Sequence, residues 1–119
     1  MSKIIEPNNW QNFLKEFSGR NKNRRARFQI FTNGEANEEE QEARLQKVSL
    51  KKLKDGTQVV VTRVDKSEDK NERMVDTLAD VHGLAVQYEK DGSENILEIT
   101  NKRGDLTLLR FESMLDGVS

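Results

Sequence analysis

The sequence predicts an α+β fold, with an N-terminal helix followed by about six antiparallel strands in an open sheet or a small partly closed barrel. Three stretches carry that prediction. Trp10, Phe13, Leu14 and Phe17 fall at helical spacing and make one apolar stripe. Gln58 to Val64 is a strand whose Val59-Val60-Val61 run offers apolar side chains to both faces. Leu84 to Phe111 reads as a meander, three short apolar runs separated by turns at Asp91-Gly92-Ser93 and Arg103-Gly104-Asp105.

Taken in order, the helix is expected over 8–18, with Asn8 or Asn9 as its N-cap and Gly19 in the left-handed position past its end. Its three aromatics are expected to be buried against a sheet. A strand over 24–32 alternates Ala26, Phe28 and Ile30 against Arg25, Arg27, Gln29 and Phe31. Asn33-Gly34 breaks it, and the acidic run to Glu42 reads as a mobile hairpin loop, because neighbouring carboxylates repel. A strand over 43–50 leads to a turn over 51–56. The strand over 57–65 then belongs in the middle of the sheet. Residues 66–73 make a second polar loop. A short strand over 73–78 and a turn at Asp80-Val81-His82-Gly83 precede the meander strands over 84–90, 95–101 and 105–112. The last residues, 114–119, are expected to fray.

The chain is 119 residues long, one domain's worth, and large enough for a single core. It has no Cys, which excludes disulfides, thiol catalysis and Cys-type zinc sites. No signal peptide or membrane span is expected from the sequence, so the expected setting is soluble and cytoplasmic. Charged residues make up 34 %, but the formal net charge of −1 points whole-chain electrostatics at no partner.

Chemistry-bearing constellations are absent from the pattern. His82 is the single histidine and sits in a predicted turn, with no nucleophile or orienting acid marked out beside it. Glycines occur singly, without the Lys-Ser/Thr that follows a phosphate loop. The acidic run lacks the spacing of a calcium loop. Glu98 stands inside an apolar strand, where a cross-strand pair with Arg110 is the expected arrangement. No catalytic residue, cofactor site or metal site is assigned, and the chain reads as a non-enzymatic binding module.

The candidate surface is the basic segment Arg20, Lys22, Arg24, Arg25 and Arg27, extended by Lys51, Lys52 and Lys54. Five cations lie within eight residues beside Phe28 and Phe31. A protein partner is the leading expectation for this surface. Nucleic acid or another polyanion is the alternative, since phosphates attract such cations and an aromatic can stack on a base. An enzyme of unknown type is the remaining one.

Ile5, Trp10, Phe13-Leu14 and Phe17-Ser18 at one end, with Leu97-Glu98-Ile99 and Leu108-Leu109-Arg110-Phe111 at the other, make the chain resemble domain of unknown function 5335. That family comprises small bacterial proteins, and the similarity spans nearly the whole chain. Lys47-Val48 and Asp80-Val81 stand where the family often carries Pro-Leu and Asp-Pro steps. The resemblance implies a fold and a bacterial setting. The family supplies no established activity.

Overall fold

Residues 2–66 and 71–112 are described by a computed structural model. They form β1 (Ser2–Ile5), α1 (Trp10–Arg20), β2 (Arg25–Thr32), β3 (Glu35–Glu38), β4 (Ala43–Leu53), β5 (Gly56–Asp65), β6 (Glu72–Leu78), β7 (Val81–Tyr88), β8 (Glu94–Asn101) and β9 (Leu106–Phe111). All pairings are antiparallel, in the order β1-β7-β8-β9-β2-β4-β5-β6, with β3 added beside β2. The sheet is open, which decides between the two architectures expected. It has nine strands where the sequence predicts about six.

Two of the extra strands have plain causes. β1 is four residues long, too short to display a period-two pattern, and it precedes the helix. β3 occupies part of the expected mobile loop at 33–42. Asn33 and Gly34 both have positive φ, the geometry of a tight two-residue hairpin, so Thr32 pairs directly with Glu35. Three acids of this run, Glu38, Glu39 and Glu42, are met by arginines from other strands, as described below.

The helix starts later than expected. A 3-10 turn at Pro7–Asn9 leads into it, and the Asn9 amide donates to the Glu6 carbonyl at 2.8 Å. Asn9 therefore has near-helical φ and ψ, and its side chain caps nothing. Gly19 lies within the helix rather than past it. Asn21 takes the C-cap, and Asn23, at φ 72°, takes the left-handed turn that Asn tolerates. Trp10, Leu14 and Phe17 are buried, while Phe13 is only half-buried, one step round the stripe. Trp10 Nε1 donates to the Ile5 carbonyl at 2.8 Å, tying the helix to β1.

β4 makes two pairs with β2, Arg25 with Arg44 and Ala26 with Ala43, and then departs. A bulge between Leu45 and Lys47 bends it away. Its freed edge does not stay bare: Ser18 Oγ accepts the Val48 amide at 2.8 Å and lies within 2.9 Å of the Val48 carbonyl. The sheet thereby coils round the helix. Val59 and Val61 of β5 share one core with Leu84 and Val86 of β7, with Phe28, and with the aromatics of α1. Phe17 joins Phe13 at 5.6 Å and Phe111 at 5.7 Å between ring centres.

Other boundaries shift for the same local reasons. The β4–β5 turn contracts from 51–56 to Lys54-Asp55, because Leu53 pairs with Gly56. The turn expected at Asp80–Gly83 is Ala79-Asp80 instead, with Asp80 at φ 52°, and Val81, His82 and Gly83 belong to β7. The loop expected at 66–73 loses its end to β6, and 67–70 lie outside the described residues, as do 114–119. Among the described residues no helix is long and apolar enough to cross a membrane.

Candidate functional site

The basic segment after α1 is largely consumed by its own fold. Arg20 forms a forked pair with Glu94, both N–O distances being 2.9 Å, and this holds its guanidinium above the ordinary arginine value. Asn21 Nδ2 adds a third bond to the same buried carboxylate at 2.9 Å. Arg24 lies 4.4 Å over the Phe111 ring and donates to the Glu94 carbonyl at 2.6 Å. Burial pushes its guanidinium below the ordinary value. Arg25 pairs with Glu112 at 2.6 Å, and Arg27 with Glu38 at 3.5 Å and Glu42 at 3.8 Å. Of the five cations, Lys22, which is exposed, and Arg24, which is held by the Asn21 side chain and backbone carbonyls, form no ion pair with a described acid. A cleft of about 510 Å³ beside Phe13, Tyr88 and Glu94 is lined in part by Arg20, Asn21 and Arg24 of this segment.

The lysines expected to extend this surface lie elsewhere. Arg44 stands opposite Arg25, and Lys51 follows it along β4, so roughly 23 Å of strand separates Lys51 from the basic segment. Lys54 is in the β4–β5 turn. Lys52 pairs with Thr57, on the side of the strand opposite Lys51.

Lys51 instead shares the outer face of β4, β5 and β6, turned away from α1. Cross-strand rows fix the membership. Arg44, Val64 and Arg73 form one row, then Lys47, Thr62 and Val75, then Ser49, Val60 and Thr77. Lys51 lies opposite Gln58 in the next row. The bulge after Leu45 supplies the extra residue that keeps Arg44 and Lys47 on one face despite their odd spacing. Arg44 and Arg73 are two strands apart, roughly 10 Å, and Lys47 and Lys51 roughly 13 Å along one strand. Arg44 donates to the Asn23 carbonyl at 2.9 Å, and none of the four cations is ion-paired with a described acid. Val75 is 53 % exposed in their midst and Leu53, at the Lys51 end, 45 %. At the Arg44 end the face opens into a cleft of about 340 Å³ shared with Arg25, Glu42 and Lys66.

Comparison of the chain with protein-family models, curated proteins and solved structures gave no match.

Arg63 is the residue the sequence reading lacks. It points inward from β5 and is fully buried. Its two terminal nitrogens reach Glu39 at 2.7 and 2.9 Å, one of them also Asp76 at 3.3 Å and the other the Ala26 carbonyl at 3.1 Å. The guanidinium lies 4.5 Å over the Phe28 ring. Arg63 sits at an inward position between Val61 and Asp65, and that alternation was the available signal. Its role is architectural: it fastens the segment between β3 and β4 to β6.

The other sequence candidates have ordinary surroundings. His82 is exposed on β7. Glu98 accepts a bond from Gln87 at 3.1 Å and does not meet Arg110, because the register sets Arg110 against Ile96. Arg110 donates to Gln29 instead. Among the described residues no group of three His, Asp or Glu side chains is placed to hold a metal ion.

Proposed function

We propose that this chain is a non-enzymatic binding module, that the outer face of β4–β6 is its docking surface, and that its partner is a protein with an acidic surface. The observation that carries this reading is the contrast between two sets of cations. Arg20, Arg25, Arg27, Arg63 and Arg103 each pair with an acid of this chain. Arg44, Lys47, Lys51 and Arg73 lie together on one strand face with no described acid among their partners. An acidic surface would complete those charges, and the exposed Val75 and Leu53 add apolar contact. The face carries no aromatic ring on which a nucleobase would stack, so the unpaired cations favour an acidic protein over nucleic acid.

Affinity purification from the native host tests this, run with the wild type and with a variant carrying Arg44→Gln, Lys47→Gln, Lys51→Gln and Arg73→Gln. The expected result is an acidic protein that resists nuclease treatment, stays with the wild type and is lost from the variant, whose melting temperature is unchanged. Recovery of the wild type alone, or a partner retained equally by the variant, overturns the reading. A nuclease-sensitive ligand identifies the polyanion alternative. Log affinity for single strands then falls with log salt with a slope of about −0.7 per contacting cation, roughly −2.8 for all four.

A further inference from the structure

We propose that the partner meets this face by strand addition: an extended acidic segment pairs with the open edge of β6 and continues the sheet. The inference rests on the docking face proposed above and names the manner of binding. β6 is the last strand on its side of the sheet, bonded among the described residues to β5 alone. Its seven residues pair with β5 in unbroken register, without bulge or proline. The other edges are blunted. β1 and β3 have four residues each, and the edge that β4 frees is capped by Ser18. An edge that is long, regular and uncovered is a template for another strand.

Side-chain alternation says which strand fits. Arg73, Val75 and Thr77 point to the outer face from β6. A residue on an added strand lies about 4.5–5.5 Å from the one it faces. An acid beside Arg73 and an aliphatic residue beside Val75 would therefore each find its complement. Arg44 and Lys47 lie roughly 14 Å from the added strand, beyond about one Debye length, so Arg73 is the cation that pairs with it directly. On the inner face Asp76 already has Arg63 at 3.3 Å, so its charge is met before an acidic strand arrives. The ligand class is an extended peptide with an Asp or Glu and an aliphatic residue two positions apart, so that both point to the outer face.

Selection of the full chain against a displayed library of random peptides tests this. Enriched peptides are then synthesised unmodified and with backbone N-methylation at alternate residues, in both possible registers. The expected outcome is enrichment of an acidic and an aliphatic residue two positions apart. One N-methylated register should lose affinity by about tenfold or more, and the other should keep it, since only one set of amides faces β6. Amide exchange in Glu72–Leu78 should slow on binding. Peptides that the four-Gln variant no longer binds, but that tolerate N-methylation in both registers, overturn strand addition and leave the docking face standing. A library that yields no peptide sensitive to either change overturns both.

Discussion

Arg63 and Glu39 divide a buried ion pair unequally, and the division predicts which substitution is worse. The arginine is fully buried, whereas the Glu39 and Asp76 side chains keep 28 % and 45 % exposure. Glu39→Ala leaves a buried cation with the Ala26 carbonyl and one long contact to Asp76, and should cost about 3 kcal/mol or more. Arg63→Met leaves two carboxylates that water can reach and should cost less; denaturant titration of both variants checks the order. Burial alone would raise the Glu39 carboxyl. The bonds from Arg63 and the Phe28 amide outweigh it and hold the group below the ordinary value. A carboxyl depressed in the folded state contributes its stability above the unfolded value, about 4.3 for Glu, and loses it as pH falls through the folded one. The gap in stability between wild type and Glu39→Gln should therefore narrow below about pH 4. A gap that stays constant would place the effect in packing rather than charge.

For whole elements, what the sequence reveals depends on whether an element buries one side of itself. α1 and the meander strands were legible because Trp10, Leu14 and Phe17, and Leu84, Val86, Leu97 and Ile99, repeat at the periods of helix and strand. β3 was not, since all four of its residues are exposed and its placement comes from a turn and from charges on distant strands. The helix ends differ from those the sequence predicts because the 3-10 entry and the Asn23 turn displace the caps. As the lid of the core, the helix makes its own prediction. Trp10→Ala removes a buried ring together with its bond to Ile5, and should cost about 3–5 kcal/mol by equilibrium unfolding. A loss below about 1 kcal/mol would mean that the ring contributes little to the core.

At the scale of the molecule, a near-neutral sum conceals a segregated surface. The cluster at Arg20–Arg27 was conspicuous in sequence because its members are consecutive, yet Glu38, Glu42, Glu94 and Glu112 converge on it from elsewhere. The outer face of β4–β6 was hidden for the opposite reason. Arg44, Lys47, Lys51 and Arg73 are scattered along the chain and meet only through a hairpin register and a bulge. Local charge density is thus a poor guide here, and the fate of each charge in the sheet is the better one. The function proposed follows that second criterion.

β2 lies between β9 and the pair β3 and β4, so strands distant in sequence are immediate neighbours. This is a constraint on timing. On a ribosome, which delivers the chain from its N-terminus, the β4–β5–β6 hairpins can assemble while β2 still waits with one edge bare. The ring of Phe17 waits too, for Phe111. Completion depends on closing one long loop, a step that is slow because its entropy is lost before its contacts form. Trp10, the single tryptophan, reports the event. Its fluorescence on refolding should change mainly in the slowest phase, on the millisecond-to-second scale typical of sheets rich in distant pairings.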